Sequence, residues 1–293
     1  MDARSCTPNA VILNLFQDLA AVFSNTLYTC ATCKPYGTLY LMHKLIVANW
    51  KMNPTSKKEA KKIFAGTKAA ATKARGVQVV VCPPAVYLPE LAKERPTAKV
   101  QLGVQDVFHE DAGAFTGQTS VPMVKEYKAK WAIVGHSERR ARGETNEVVA
   151  EKAQHALRSG LTPIVCVGER ERNEEGAYYI YVRAEIEAVL DGLKRKEVPG
   201  LVFAYEPIWA IGKRAEEACS TAQLYEMVLF IKKLLIERYG RKTADGVRIL
   251  YGGSVHTDNA ATLMQEGGVD GLLIGRASRD VEVFGEILSH VAA

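Results

Sequence analysis

Residues Leu201–Gly212 read Leu-Val-Phe-Ala-Tyr-Glu-Pro-Ile-Trp-Ala-Ile-Gly. The first five form a continuous apolar run, the pattern of a strand buried on both faces. One carboxylate, Glu206, ends the run, and Pro207 follows at once. Proline fixes its own φ and offers no N–H, so the strand stops there and the backbone direction is set. Ile208, Trp209, Ala210 and Ile211 are apolar yet bracketed by Pro207 and Gly212, which makes them a loop. Loops are usually polar, so an apolar loop behind a carboxylate reads as a lid. A carboxylate shut away from water holds its proton more tightly and becomes a usable base near neutral pH. The competing reading is a structural glutamate at a strand end beside a core tryptophan.

Outward from this stretch the same alternation repeats. Apolar runs at Leu45–Ala48, Val77–Cys82, Val100–Val104, Trp131–Val134, Thr162–Val167, Val247–Leu250 and Gly271–Ile274 read as strands. Helical patterns fall between them at Ser56–Lys73, Ala85–Glu94, Asn146–Arg158 with Asn146 as its cap, Ala177–Arg195, Thr221–Tyr239, Asp258–Glu266 and Val281–Val291. With the run at Leu201–Tyr205, eight strand–helix units of about thirty residues point to a (β/α)8 barrel in one domain, residues 42–293. An open doubly wound sheet would want a glycine fingerprint after the first strand, and Asn49-Trp50-Lys51 is unlike one.

Composition narrows the function. Hydrophobic residues make up 47% and charged residues 24% of 293, an ordinary globular balance with no apolar run of membrane-spanning length. The net charge of +5 carries no Lys/Arg block with interleaved aromatics, so nucleic acid is not expected as a partner. A mild basic excess suits an anionic small substrate. The six cysteines show no dense framework, which points to reduced thiols in the cytoplasm.

Residues 1–41 read as a non-barrel extension. They hold three of the six cysteines, few charges and no clear period. Val11–Phe23 is broken by Asn14, Gln17 and Asp18, and only Arg4 is basic, unlike a secretory signal; Asp2 and Asp18 argue against a transit peptide. The expectation is that Met42 is the natural start and the preceding residues are read-through or a disordered tail. Intact mass of the native chain tests this, and a mature chain beginning before Met42 would refute it. Cys30-Ala-Thr-Cys33 has the spacing of a metal or redox pair, but no second such pair accompanies it, so no metal is expected.

In a barrel the loops after the strands gather on one face, where the chemistry sits. The polar residues just after strands are Asn49 and Lys51, Gln105, His136-Ser137-Glu138, Glu169 and Glu206. One amine, one imidazole and one carboxylate thus converge on a single mouth. Glycine turns follow the seventh strand (Gly252-Gly253) and the eighth (Gly275). Their backbone N–H groups suit a phosphate, with Ser254 adding a hydroxyl; the alternative is that these glycines serve only tight turns. A neutral His136 can donate to a carbonyl oxygen as charge builds on it, and Lys51 offers a fixed positive charge. Taken alone, a strand-end histidine is more often a satisfied polar residue and a lone lysine a solvated one. His109, His155, His256 and His290 lack metal-ligand spacing.

Four blocks together resemble the signatures of the triosephosphate isomerase family. They are Asn49-Trp50-Lys51-Met52-Asn53, Gly135-His136-Ser137-Glu138-Arg139-Arg140, Ala204–Gly212 and Tyr251-Gly252-Gly253-Ser254, in the family's order across residues 42–293. The resemblance implies a TIM barrel that interconverts dihydroxyacetone phosphate and D-glyceraldehyde 3-phosphate through an enediolate, in glycolysis and gluconeogenesis. By the same resemblance Glu206 is the base, His136 and Lys51 stabilise the enediolate oxygens, and Asn49 orients them. These acid–base roles are the family's standard example of tuned side chains. Ser137 would hold Glu206 in the open form, and Glu138 would buttress Lys51. Ile211 and Leu273 would clamp the base. Backbone N–H groups of Gly212, Ser254, Gly275 and Arg276 would hold the phosphate. Residues Pro207, Ile208, Trp209, Ala210, Ile211, Gly212, Lys213 and Arg214 would form the lid, latched by Tyr251 and Ser254. The stretch Asp106–Ser120 looks like the loop that docks into a second copy, so a homodimer is implied. No cofactor or metal is implied, because the chemistry needs only proton transfers.

The chain departs from the family at two places. The family lid usually runs Ala-Ile-Gly-Thr-Gly-Lys, but here Gly212 precedes Lys213-Arg214-Ala215-Glu216-Glu217. An arginine forced to positive φ costs about 1–3 kcal/mol, so turnover should survive with altered lid kinetics. Arg276 replaces the second glycine after the eighth strand; its N–H remains, but the local turn is expected to differ. Two other readings stay open, a different phosphate-binding barrel enzyme such as an aldolase and a non-catalytic barrel scaffold. An aldolase would want a Schiff-base lysine, for which Lys51 is the only candidate. A scaffold would be expected to have lost Lys51, His136 or Glu206.

Overall fold

Short runs of Val, Ile, Leu and Ala cannot leave either face in water, so strands built from them need cover on both sides. In the computed structural model, which describes residues 43–172, 176–212 and 218–292, eight such strands close on themselves. They are β1 (Lys44–Asn49), β2 (Val77–Cys82), β3 (Val100–Val104), β4 (Ala129–Val134), β5 (Thr162–Val167), β6 (Val202–Tyr205), β7 (Arg248–Tyr251) and β8 (Gly271–Ile274). Each pairs in parallel with its sequence neighbours, and β1 with β8 completes the (β/α)8 barrel. The expectations for residues 1–41, and for Lys213 and Arg214, lie outside the described residues.

Side chains alternate across a strand, and the alternation sorts them into two cores. Leu45, Val47, Val80, Cys82, Ile133, Ile164 and Leu250 fill the barrel interior. Their neighbours Ile46, Ala48, Val79, Val81, Val134 and Val165 face the outer ring of helices. The barrel is therefore a packed core rather than a pore, and its chemistry is confined to the mouth.

The helices are α1 (Lys57–Lys73), α2 (Leu88–Lys93), α3 (Val121–Glu126), α4 (Ser137–Arg140), α5 (Asn146–Arg158), α6 (Ala177–Leu190), α7 (Thr221–Tyr239), α8 (Arg241–Asp245), α9 (Ala260–Glu266) and α10 (Val281–Val291). Ser220 and Gln223 make a reciprocal capping box at the start of α7, so that helix begins where its sequence says. Three expectations need correction. Thr145, not Asn146, caps α5; its hydroxyl accepts the Val148 N–H at 3.4 Å, and Asn146 is the first helical residue. Helix α6 stops at Leu190 rather than Arg195, because Asp191-Gly192 follows and glycine is a poor helix former. The stretch Ala85–Glu94 opens as one 3-10 turn before α2 forms.

Candidate active site

Glu206 leaves the end of β6 and is 2% exposed. Pro207 turns the chain and Ile208–Ala210 form one 3-10 turn, tied down by Ile208 N–H donating to the Glu169 carbonyl at 2.9 Å. The carboxylate is held unequally. Its Oε2 accepts the Ser137 N–H at 3.0 Å. Its Oε1 takes no hydrogen bond among the described residues and stands 3.3 Å from His136 Nε2. One oxygen is thus parked and the other is free to accept a proton. A side chain at Gly252 would meet Glu206 Cγ at 2.8 Å and Leu273 at 3.5 Å, so Glu206 lies between that turn and the apolar end of β8.

His136 follows β4 and caps α4. Its Nδ1 accepts the Glu138 N–H at 3.2 Å. A ring nitrogen that accepts carries no proton, so the imidazole is neutral with its hydrogen on Nε2, the nitrogen facing Glu206.

Lys51 follows β1 with φ 52°, a conformation that favours glycine. Two side chains hold it there. Asn49 accepts the Lys51 N–H at 3.0 Å, and Gln105 Nε2 donates to the Lys51 carbonyl at 2.8 Å and to the Cys82 carbonyl at 2.9 Å. The Lys51 ammonium is 2.6 Å from Glu138. Partial burial would raise the Glu138 carboxyl, but the neighbouring Lys51 charge wins and holds it below its ordinary value.

The apolar segment after Pro207 is held from two sides. Ser254 Oγ accepts the Gly212 N–H at 3.0 Å and donates to the Ala210 carbonyl at 3.0 Å. Trp209 Nε1 donates to Glu169 Oε1 at 2.8 Å, an oxygen that also takes Tyr205 O–H and Arg172 Nε. The Tyr251 hydroxyl is buried and has no hydrogen-bond partner among the described residues. Ile211 follows the 3-10 turn, half-buried. Gly275 and Arg276 follow β8 at the same mouth, and Lys51 Cε lies 3.2 Å from where a Gly275 side chain would begin. Arg276 opens a 3-10 turn without the positive φ seen at Lys51, Arg95 and Lys128, so that turn does not demand glycine.

The structure therefore brings Asn49, Lys51, His136, Ser137, Glu138, Glu206, Gly212, Ser254, Gly275 and Arg276 around one mouth. Sequence reasoning named Gln105 and Glu169 as strand-end residues without giving them work; the first holds the Lys51 backbone and the second anchors the lid tryptophan. It missed Arg140 and Glu185, buried beneath the site. The available signal for Glu185 was a carboxylate in register with Val182, Ile186 and Val189 on the buried stripe of α6. Among the described residues no group of His, Cys, Asp and Glu is arranged to hold a metal ion, and no helix is long and apolar enough to cross a membrane.

Residues 44–291 match the family model described as triosephosphate isomerase. A protein of that name from Thermoanaerobacter sp. (strain X514) is 40% identical over 248 residues, covering 84% of this chain and 98% of the relative. One from Moorella thermoacetica is likewise 40% identical over 248 residues, with the same coverage of 84% and 98%. One from Dehalococcoides mccartyi (strain ATCC BAA-2100) is 37% identical over 254 residues, covering 86% and 98%.

Proposed function

The chain belongs to the triosephosphate isomerase family and is an isomerase of triose phosphates, and from that premise we propose how its residues divide the reaction. Glu206 Oε1 removes a proton from C1 of dihydroxyacetone phosphate. The electrons move into the C1–C2 bond, and charge builds on the C2 oxygen. His136 Nε2–H donates to the substrate oxygens as that charge develops, and the Lys51 ammonium stabilises it. A proton passes from the C1 hydroxyl to the C2 oxygen by way of His136 Nε2, and Glu206 then returns its own proton to C2, giving D-glyceraldehyde 3-phosphate. The protonation balance closes with no cofactor. Asn49 and Gln105 act by holding Lys51 in place, and Glu138 orients its ammonium. Backbone N–H groups of Gly212, Ser254, Gly275 and Arg276 hold the phosphate, the first once it exchanges the Ser254 hydroxyl for an anion.

The observation that carries this reading is the asymmetry of the buried Glu206 carboxylate, one oxygen held by Ser137 and the other facing His136 Nε2. The apolar lid closes over that carboxylate, so water is kept from the enediolate. A coupled assay starting from glyceraldehyde 3-phosphate tests it. Glu206→Asp and His136→Gln should each lower kcat by about 10²–10⁴-fold. Unchanged rates in both would remove these residues from the mechanism.

The working unit is a homodimer in the cytoplasm. Phe115 in the loop Asp106–Ser120 is 43% exposed although it stacks on Phe108, and Met52, beside Lys51, is 90% exposed. Large apolar side chains left uncovered at a functional mouth suit a second copy as cover.

A further inference from the structure

The reaction described above uses Glu206 but not the ion pair buried beneath it. Glu185, on α6, is 1% exposed. Its Oε2 accepts the Gly168 N–H at 2.7 Å, and its Oε1 stands 3.3 Å from Arg140 Nη1. Gly168 has no room for a side chain, since a Cβ there would fall 1.9 Å from the Glu206 carbonyl oxygen. The grip of Glu185 on Gly168 therefore bears on the Glu206 backbone. Arg140 ties together the adjacent ends of β4 and β5. Its Nε donates to the Gly135 carbonyl at 2.8 Å and its Nη2 to the Cys166 carbonyl at 3.3 Å. Gly135 leads directly into His136 and Ser137, which face the Glu206 carboxylate. Ser137, Arg140, Cys166, Gly168 and Glu206 line one narrow crevice. Well-packed apolar groups could fill such a space at no loss of stability, so a charged pair kept there calls for another role.

We propose that Glu185 is a positioning residue for the isomerisation, clamping the ends of β4 and β5 beside Glu206 through Arg140 and Gly168 and placing its own negative charge near the base. The proposal rests on Glu206 being the base. Burial pushes the Glu185 carboxyl up to about 7, against the opposing pull of Arg140 and the Gly168 N–H; Glu206 and Glu169 push it further up. Cys166, the other titratable group facing this cluster, stays a thiol because burial raises it well above its ordinary value. Glu185 therefore changes charge in the range where the base works. When it is ionised, its like charge favours the step that neutralises Glu206 by bringing a proton onto it. When it is protonated, the uncompensated Arg140 charge pulls Glu206 the other way.

Glu185→Gln keeps the shape and an acceptor for the Gly168 N–H but removes the charge. kcat and KM are measured for both proteins from about pH 5.5 to about pH 8.5. Ionisation of the substrate phosphate is common to both and cancels in the ratio. The ratio of wild-type to E185Q kcat should rise about threefold toward the alkaline end, with the KM ratio flat. A merely structural role would lower activity equally at every pH, so a flat kcat ratio overturns the proposal. Glu206→Asp is assayed alongside. If it is slow while the E185Q ratio is flat, only the role of Glu185 fails; if it is as fast as wild type, the base assignment fails as well. Should E185Q not fold, carboxyl 13C NMR of glutamate-labelled Glu206→Gln decides the matter. A glutamate titrating above about pH 6 is expected, and its absence overturns the proposal.

Discussion

Lys51 shows how the chemistry is set one residue at a time. Its backbone sits at φ 52°, where a side chain is strained by about 1–3 kcal/mol, and hydrogen bonds to Asn49 and from Gln105 keep it there. Lys51→Gly should relieve that strain and raise stability by about 1 kcal/mol in thermal unfolding, while turnover is lost. A fall in stability would mean that the ammonium's pairing with Glu138 outweighs the backbone term. Gln105→Ala leaves the Lys51 carbonyl without its side-chain donor and the Cys82 carbonyl with the Trp50 N–H alone. It should lower kcat/KM about tenfold and stability by about 1–3 kcal/mol, read from steady-state kinetics and urea titration. The position of the acid, the imidazole and the amine was legible from the sequence, because each ends an apolar run and all such ends meet at one face. The strain at Lys51 was not legible, because no glycine marks it. Glu185 was hidden for another reason: a carboxylate inside a helical pattern reads as solvated unless its register with the apolar stripe is counted.

Strands and long helices were readable because burial on both faces leaves an unbroken apolar run and a capping box leaves a fixed four-residue signature. Short helices such as α4 and α8 carry too few residues for a period to show. The end of α6 was overshot because Leu193 continues the apolar spacing past Gly192, and the backbone, not the pattern, ends the helix. In the lid, the Ser254 hydroxyl joins Gly212 to Ala210, fixing the near half of the segment to the turn after β7. Ser254→Ala removes both contacts. The expected result is a lower isomerisation rate together with a larger share of phosphate elimination to methylglyoxal, measured as the ratio of the two products. An unchanged ratio would show that the latch does not protect the intermediate. Trp209→Phe keeps the apolar cover but loses the bond to Glu169, and should lower kcat about tenfold with KM little changed.

Across the whole molecule, one buried ionic cluster joins the proposed docking loop to the catalytic wall. Lys152, 2% exposed, donates to both oxygens of Asp106 at 2.9 Å and to Glu144, while Arg139 of α4 bridges the same two acids. Lys152→Met leaves two partly buried carboxylates with Arg139 as their remaining cation and should cost about 1–3 kcal/mol in urea unfolding. Phe115→Asp places a charge where the second copy is proposed to sit, and sedimentation should then find monomers. A dimer that persists would move the interface elsewhere. The ring of strands also decides what form any such association can take. Among the described residues every strand has a hydrogen-bonded neighbour on each side, so the barrel leaves no backbone ladder open for another polypeptide to extend. Two such barrels meet through protruding loops and side-chain surfaces. Self-association of the barrel can accordingly be strengthened or abolished by ordinary surface substitutions, and the closed ring offers fibre-like stacking no template on which to begin.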